Sequence, residues 1–373
     1  MSEINHSYGF TTGTCAAGAA KAAAQALAQT AGKGSVPDSV TVPTPSGITA
    51  TLDILEKEVK AGLFAQCAVR KDAGDDPDVT HGCLIFARVE TCPETGVFIY
   101  GGEGVGRVTK PGLRIPPGEA AINPVPRKMI RDSVSDFMGR DTGLKVTISV
   151  PEGTQIAKKT FNPRLGILGG ISIIGTSGIV RPMSLESHKT SLVCALDVAR
   201  AMGHKTIVLV PGNLGENAFM QAFKVPAEQV VQISNYLGFM LTEARKGGFS
   251  RILLAGHPGK LAKFIRGDLD THSMKSPPAM DVVLSVLEEN GLEQDVIESV
   301  KDSTTVEGII RGLKRRNLLS MMGDIADRIE DKAKDFLGPS VDTGVVLFDM
   351  EKDVIGISRG ATDWQKGLRT TSP

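Results

Sequence analysis

Residues 162–184 read NPRLGILGGISIIGTSGIVRPMS, with Gly166, Gly169, Gly170, Gly175 and Gly178 set between short apolar steps. Glycine has no Cβ and accepts positive φ, so such a run lets backbone come close to a ligand or to another segment. Helical spacing resumes near Ser187, where Leu192, Ala195, Leu196 and Ala199 line one face. A glycine-rich turn feeding a helix N-terminus suits an anion or a nucleotide-like ligand. Gly169, Gly170, Ser172, Gly175, Thr176 and Gly178 are therefore the first cofactor-binding candidates, with tight packing as the ordinary alternative.

Two phosphate motifs fail here. A P-loop needs G-x4-G-K-[ST], and Gly170-x4-Gly175-Thr176-Ser177 puts threonine where the lysine belongs. The dinucleotide pattern G-x-G-x-x-G is approached at Gly102-Glu103-Gly104-Val105-Gly106, but Arg107 replaces its last glycine. The ligand so implied is not a triphosphate. A second pair of turns follows the apolar runs KTIVLV and RILLA: Pro211-Gly212-Asn213 and Gly256-His257-Pro258-Gly259-Lys260. Ligands gather at the carboxyl ends of such strands, which adds Gly212 and Asn213 to the cofactor candidates.

Titratable residues crowd two other places. Asp72, Asp75, Asp76 and Asp78 share one loop, where solvated turn carboxylates are the default. Repulsion among four such groups raises the pKa of one and suits it to proton handling; a divalent cation is a third option. His272 stands two residues after Asp270, which is placed to orient or charge it. Asp72, Asp75, Asp76, Asp270 and His272 are the catalytic candidates. The five cysteines are widely spaced and form no CxxC pair, so neither a zinc ribbon nor a disulfide framework is indicated, and no protein metal site is expected.

The elements that must position these residues fall into two styles. Thr11, Thr12 and Thr14 are candidate caps for the alanine-rich helix CAAGAAKAAAQALAQ. Short β segments follow between residues 40 and 101, then a helix near Val125–Met138 and a strand from Lys145. Beyond Ser187 the order becomes helix, strand, helix, with strands apolar enough to be buried on both faces. A capping box, Thr304-x-x-Glu307, opens one late helix. The expectation is a strand-rich α+β domain over 1–160 and an α/β domain with a mainly parallel sheet over 161–373. Lys plus Arg and Asp plus Glu both number 42, and aromatics are 5%, so no nucleic-acid partner is expected. The first residues lack a signal-peptide pattern and no apolar run spans a bilayer, which points to a cytoplasmic protein without a membrane partner. Homo-oligomerisation stays open.

Six motifs in order, YGFTTGTCAAGAAKAA, KDAGDDPDVTHG, GGEGVGRVTKPGL, GEAAINPVPRKMI, the glycine run and DTHS, resemble the cobalt-precorrin-5B (C-1)-methyltransferase family, the CbiD proteins of anaerobic cobalamin biosynthesis. The resemblance runs from about Ser7 to beyond Ser273. It implies methyl transfer from S-adenosylmethionine to C-1 of the corrinoid, giving cobalt-precorrin-6A, and a Rossmann-like second domain that binds the donor. Cobalt then belongs only to the substrate. A polycarboxylate macrocycle needs cations and donors, which makes Thr11, Thr12, Thr14, Gly102, Glu103, Lys110, Arg127 and Arg164 the substrate-binding candidates. A non-catalytic carrier of the corrinoid intermediate is the alternative.

Overall fold

The computed structural model describes residues 8–29, 36–137, 143–181, 185–301 and 303–365. The chain divides after Ser187 into two compact units, not near residue 160. The displaced stretch is the glycine run, whose backbone pairs with the first unit, as described below. Pro182–Ser184, at the end of that run, lie outside the described residues.

The first unit opens with β1 (Gly9–Phe10) and α1 (Thr12–Gln29). Strands β2 (Ser39–Pro43) and β3 (Thr49–Asp53) form a hairpin; β4 (Glu56–Lys60), β5 (Phe64–Arg70), β6 (Leu84–Cys92) and β7 (Gly96–Gly101) follow. Next come β8 (Arg107–Val108), α2 (Pro124–Ser135), β9 (Gly143–Ser149), α3 (Gly153–Ala157), β10 (Ile167–Leu168) and β11 (Ile179–Val180). The main sheet has the order β4-β5-β6-β9-β7, antiparallel except for β7 beside β9. Val89, Val146 and Ile148 point from it into a core shared with α1 and α2. Cys15–Ala17, Ala19, Ala20 and Ala22–Ala24 have no exposed surface at all. Only side chains this small let a helix sink so deep, and alanine adds the best helix propensity. Strand β4, EKEVK, has no apolar alternation and was not legible in the sequence; it is a charged edge strand, which discourages further pairing.

The second unit starts with α4 (Leu185–Ala201), which crosses the divide, then β12 (Thr206–Val210), α5 (Asn213–Ala222), β13 (Val230–Gln232), α6 (Leu237–Lys246) and β14 (Arg251–Gly256). Short helices α7 (Pro258–Leu261), α8 (Met280–Glu289), α9 (Gln294–Val300) and α10 (Val306–Arg315) lead to α11 (Met322–Leu337), β15 (Asp342–Phe348), β16 (Val354–Ile357) and α12 (Thr362–Gln365). The sheet order is β13-β12-β14-β15-β16, parallel except for β16. Ile207–Val210, Leu253 and Val345–Phe348 are fully buried, as strands covered on both faces require. The cap of α10 is Thr305, whose hydroxyl accepts from Gly308 N at 3.1 Å, not the expected Thr304. With Thr305 as the cap, Gly308 takes the third helical position and has no side chain to complete the box, while Glu307 pairs with His257 and Arg311.

Candidate functional site

Around the start of α1 the first unit brings three motifs together. Thr11 Oγ1 accepts from Thr14 N at 3.2 Å, which caps the helix. Thr12 Oγ1 accepts from Ile174 N at 2.9 Å, and Gly13 N donates to the Ile174 carbonyl at 2.9 Å. Thr14 donates its hydroxyl to Gly178 O at 2.6 Å. All three threonines are buried, so in this structure they fasten the glycine run to the helix. The acidic loop joins on the other side, through Phe10 N to Asp72 O at 2.7 Å.

The glycine run was expected to offer free N–H groups ahead of a helix. Its amides instead meet partners within the first unit: Ile171 N reaches Gly104 O at 2.9 Å and Ile173 N reaches Ala121 O at 2.8 Å. A Cβ on Gly170 or Gly153 would overlap the Gly104 carbonyl oxygen, and one on Gly175 would overlap Thr11. A Cβ on Gly178 would overlap Thr44, so Gly170 is demanded by a close backbone contact, and Gly175 and Gly178 by packed side chains and positive φ. Gly169, with φ +83° and open space beside it, and Thr176 are exposed. Ser172 donates to Asn162 Oδ1 at 3.2 Å, and Asn162 holds Gly170 O at 3.1 Å.

At Asp78 the neighbours that set the pKa are Lys71 and Thr80, not other carboxylates. Burial raises the Asp78 pKa, but the Lys71 ammonium at 2.7 Å and donors from Thr80 outweigh it and hold the carboxyl below its ordinary range. Lys71 is itself 1% exposed. It was missed in the sequence because a lysine at a strand end reads as solvated. Asp72 is exposed and caps its own turn through Gly74 N at 2.9 Å; Asp75 is exposed and Asp76 half-buried. His81 was missed too: its Nδ1 accepts from Ala73 N at 3.1 Å and lies 3.7 Å from Asp72.

Arg127 departs from its expected role. It donates to Ile122 O at 2.8 Å and also reaches Ile99 O, Ala120 O and Glu119. Its fork therefore bolts the 119–122 loop to α2 and β7. Gly102 N donates to Ile148 O at 2.7 Å, and the Glu103 carbonyl takes Val150 N at 2.8 Å, which positions the turn before β8. Lys110 lies along Gly166, and Arg164 sits 5.8 Å from the Phe161 ring.

In the second unit β12 lies between β13 and β14, so the chain leaves it in opposite directions across the sheet. A crevice at the carboxyl ends of the strands forms at such a switch point. The flanking turns carry Gly212, φ +116° with nothing near its Cβ position, and Asn213, which accepts from Gln232 at 2.7 Å. Gly212 gives α5 no side-chain cap. Lys260 bridges two segments there, from Pro211 O at 3.3 Å to Asn235 Oδ1 at 3.1 Å, and burial, then Lys263, lowers its pKa. Asn235 O in turn takes Thr271 N at 2.9 Å, so the 268–273 loop joins the same edge. Asp270 meets His272 through the backbone N–H at 3.1 Å and pairs with Lys275 at 2.7 Å. Burial raises the Asp270 pKa, but these donors outweigh it and hold the carboxyl below its ordinary range. That makes Asp270 a turn former more than an orienter of the imidazole. A separate cavity of about 660 Å³ opens at the amino ends of β14 and β15, where Arg251 and Glu330 are engaged with Asp363 and Gly360. Among the described residues no group of three or more His, Cys, Asp or Glu is arranged to hold a metal ion, and no helix is long and apolar enough to cross a membrane.

The family model for CbiD matches residues 2–182, and that for the CbiD C-terminal domain matches residues 270–359. A cobalt-precorrin-5B C(1)-methyltransferase of Thermoanaerobacter sp. (strain X514) is 41% identical over 96% of each chain. The chain belongs to the CbiD family. A second relative of that name, from Desulfitobacterium hafniense, is 42% identical over 93% of this chain and 88% of its own. The crystal structure of the cobalamin biosynthesis protein cbiD from Archaeoglobus fulgidus is 30% identical and covers 74% of this chain and 84% of its own, with a TM-score of 0.37. The first CbiD match ends within a few residues of the structural divide, and all five glycines of the run fall inside it.

Proposed function

We propose that this CbiD chain is the S-adenosylmethionine-dependent methyltransferase that converts cobalt-precorrin-5B to cobalt-precorrin-6A by methylating C-1. The observation that carries the reading is identity of about two residues in five, over nearly the whole chain, to proteins bearing that name. We read the second unit's mainly parallel sheet as Rossmann-like, with the donor held at the carboxyl ends of β12 and β14. The α5 N-terminus, uncapped by any side chain of Gly212, suits the donor's carboxylate. Lys260 fixes the spacing of the Pro211 and Asn235 segments. Nothing lies within 4 Å of the Cβ position at Gly212, which leaves the start of α5 open to a ligand.

When bound, S-adenosylmethionine supplies an electrophilic methyl group on a sulfonium, and the ring carbon takes it in line with the breaking S–C bond. The chain's task is then mainly to align and to exclude water, because positioning alone accounts for a large share of such barriers. Proton handling, where the reaction needs it, falls to the 72–81 loop, with Asp72, Asp75, Asp76 and His81 as candidates. Incubation of the purified protein with cobalt-precorrin-5B and methyl-labelled S-adenosylmethionine tests the proposal. Label in the corrinoid is expected. Label left on the donor, beside active substrate, would overturn the reaction and leave only a carrier.

A further inference from the structure

The ribbon formed by β8 and β10 carries a surface that the donor crevice does not use. Arg107 and Leu168 stand directly opposite each other in this antiparallel pair, while their neighbours Val108 and Ile167 are buried. Alternation along a strand puts Arg107 and Leu168 together on the outer face. Leu168 is 53% exposed, an unusual place for leucine on a two-residue strand. Thr109 N and Oγ1 both bond Gly166 O, at 2.8 and 2.7 Å, and this ties the next residue, Lys110, to the same ribbon. Gly166 has φ +74°, and a Cβ there would overlap the Lys110 methylenes, so the lysine stem is laid along the ribbon by the absence of a side chain. Arg164 is exposed two residues earlier. Arg107 also donates to the Gly118 carbonyl, which holds its guanidinium at the ribbon. The result is three cations beside one exposed apolar side chain.

We infer that this ribbon is the surface that reads the corrinoid: Arg107, Lys110 and Arg164 take its peripheral carboxylates, and Leu168 lies against the ring. The inference rests on the methyltransferase reading, and the argument for the occupant is charge complementarity to a polycarboxylate with an apolar face. Arginine offers a bidentate fork to each carboxylate, whereas lysine offers a point charge. Thr11, Thr12, Thr14 and Arg127 drop out of the substrate set, since all four are engaged inside the fold.

The test measures binding of cobyrinic acid and of its heptamethyl ester by calorimetry, together with KM for cobalt-precorrin-5B. Wild type is expected to bind the acid and not the ester, with affinity falling as salt rises. Arg107→Gln, Lys110→Gln and Arg164→Gln should each weaken the acid by about fivefold, as for exposed charge pairs. The triple variant should lose on the order of a hundredfold if the three act independently. Leu168→Ser should raise KM at unchanged kcat, and Lys224→Gln, an exposed lysine of the second unit, should change nothing. Circular dichroism checks that each variant is folded. Equal binding of acid and ester, or a triple variant with wild-type affinity in an enzyme that turns over, overturns the ribbon alone. Absence of labelled product in wild type overturns the reaction reading instead.

Discussion

The Thr14 hydroxyl and the Gly178 carbonyl, 164 positions apart, meet at 2.6 Å with Thr14 wholly buried. One hydrogen bond thus joins the first turn of α1 to the end of the glycine run. It also shows why the threonines serve that junction: a buried hydroxyl needs a partner, and this carbonyl supplies it.

Removing that donor should be felt as stability. Thr14→Val keeps the shape but removes the hydroxyl from the Gly178 carbonyl, which keeps only Thr11 N at 3.2 Å, at a cost of about 0.5–1.5 kcal/mol. Thr14→Ser, which retains the oxygen, should recover most of it. Urea unfolding at neutral pH gives both values; equal midpoints for wild type and Thr14→Val would show that the bond contributes nothing.

The Lys71–Asp78 pair should govern the acid limb. The folded pKa of Asp78 is lowered, so its contribution is present above the unfolded value of 3.8 and is lost as pH falls through the lower folded value. Stability should therefore decline below about pH 4. Asp78→Asn should flatten that decline and, by leaving Lys71 buried beside a neutral amide, cost about 3 kcal/mol at pH 7. Unfolding curves for both proteins between pH 2 and 7, a range set about the ordinary carboxylate value, decide it. A mutant with the wild-type acid limb would assign the effect to other carboxylates.

Two glycines separate packing from ligand binding. Gly170→Val drives a side chain into the Gly104 carbonyl and should lower stability by roughly 3 kcal/mol or more, with donor affinity of the folded fraction unchanged. Gly212→Val has room for its side chain but forces φ +116°, ψ −174° on a β-branched residue, a strain of about 1–3 kcal/mol. It should also crowd the start of α5 and weaken S-adenosylhomocysteine binding at least about tenfold, or 1.4 kcal/mol. Thermal melts and calorimetry on both variants test the pair. Donor affinity lost in Gly170→Val and kept in Gly212→Val would move the donor site to the first unit.

Sequence alone determined the local elements and the family. The alanine run of α1, the alternation of β2, β3 and β6, and the doubly buried runs of β12 and β14 are read directly because side-chain period and propensity are local properties. Ordered motifs carried the chemistry. What the glycines at 170, 175 and 178 are for was decided only in three dimensions. A missing side chain states that something comes close, but the partners, Gly104, Thr11 and Thr44, lie far away in sequence. The same holds for Arg127, drawn inward by carbonyls at 99, 120 and 122, and for Lys71, buried because Asp78 folds back over it. The divide after Ser187 follows from those long-range pairings, since hydrogen bonds to the first unit, not composition, set where the glycine run belongs.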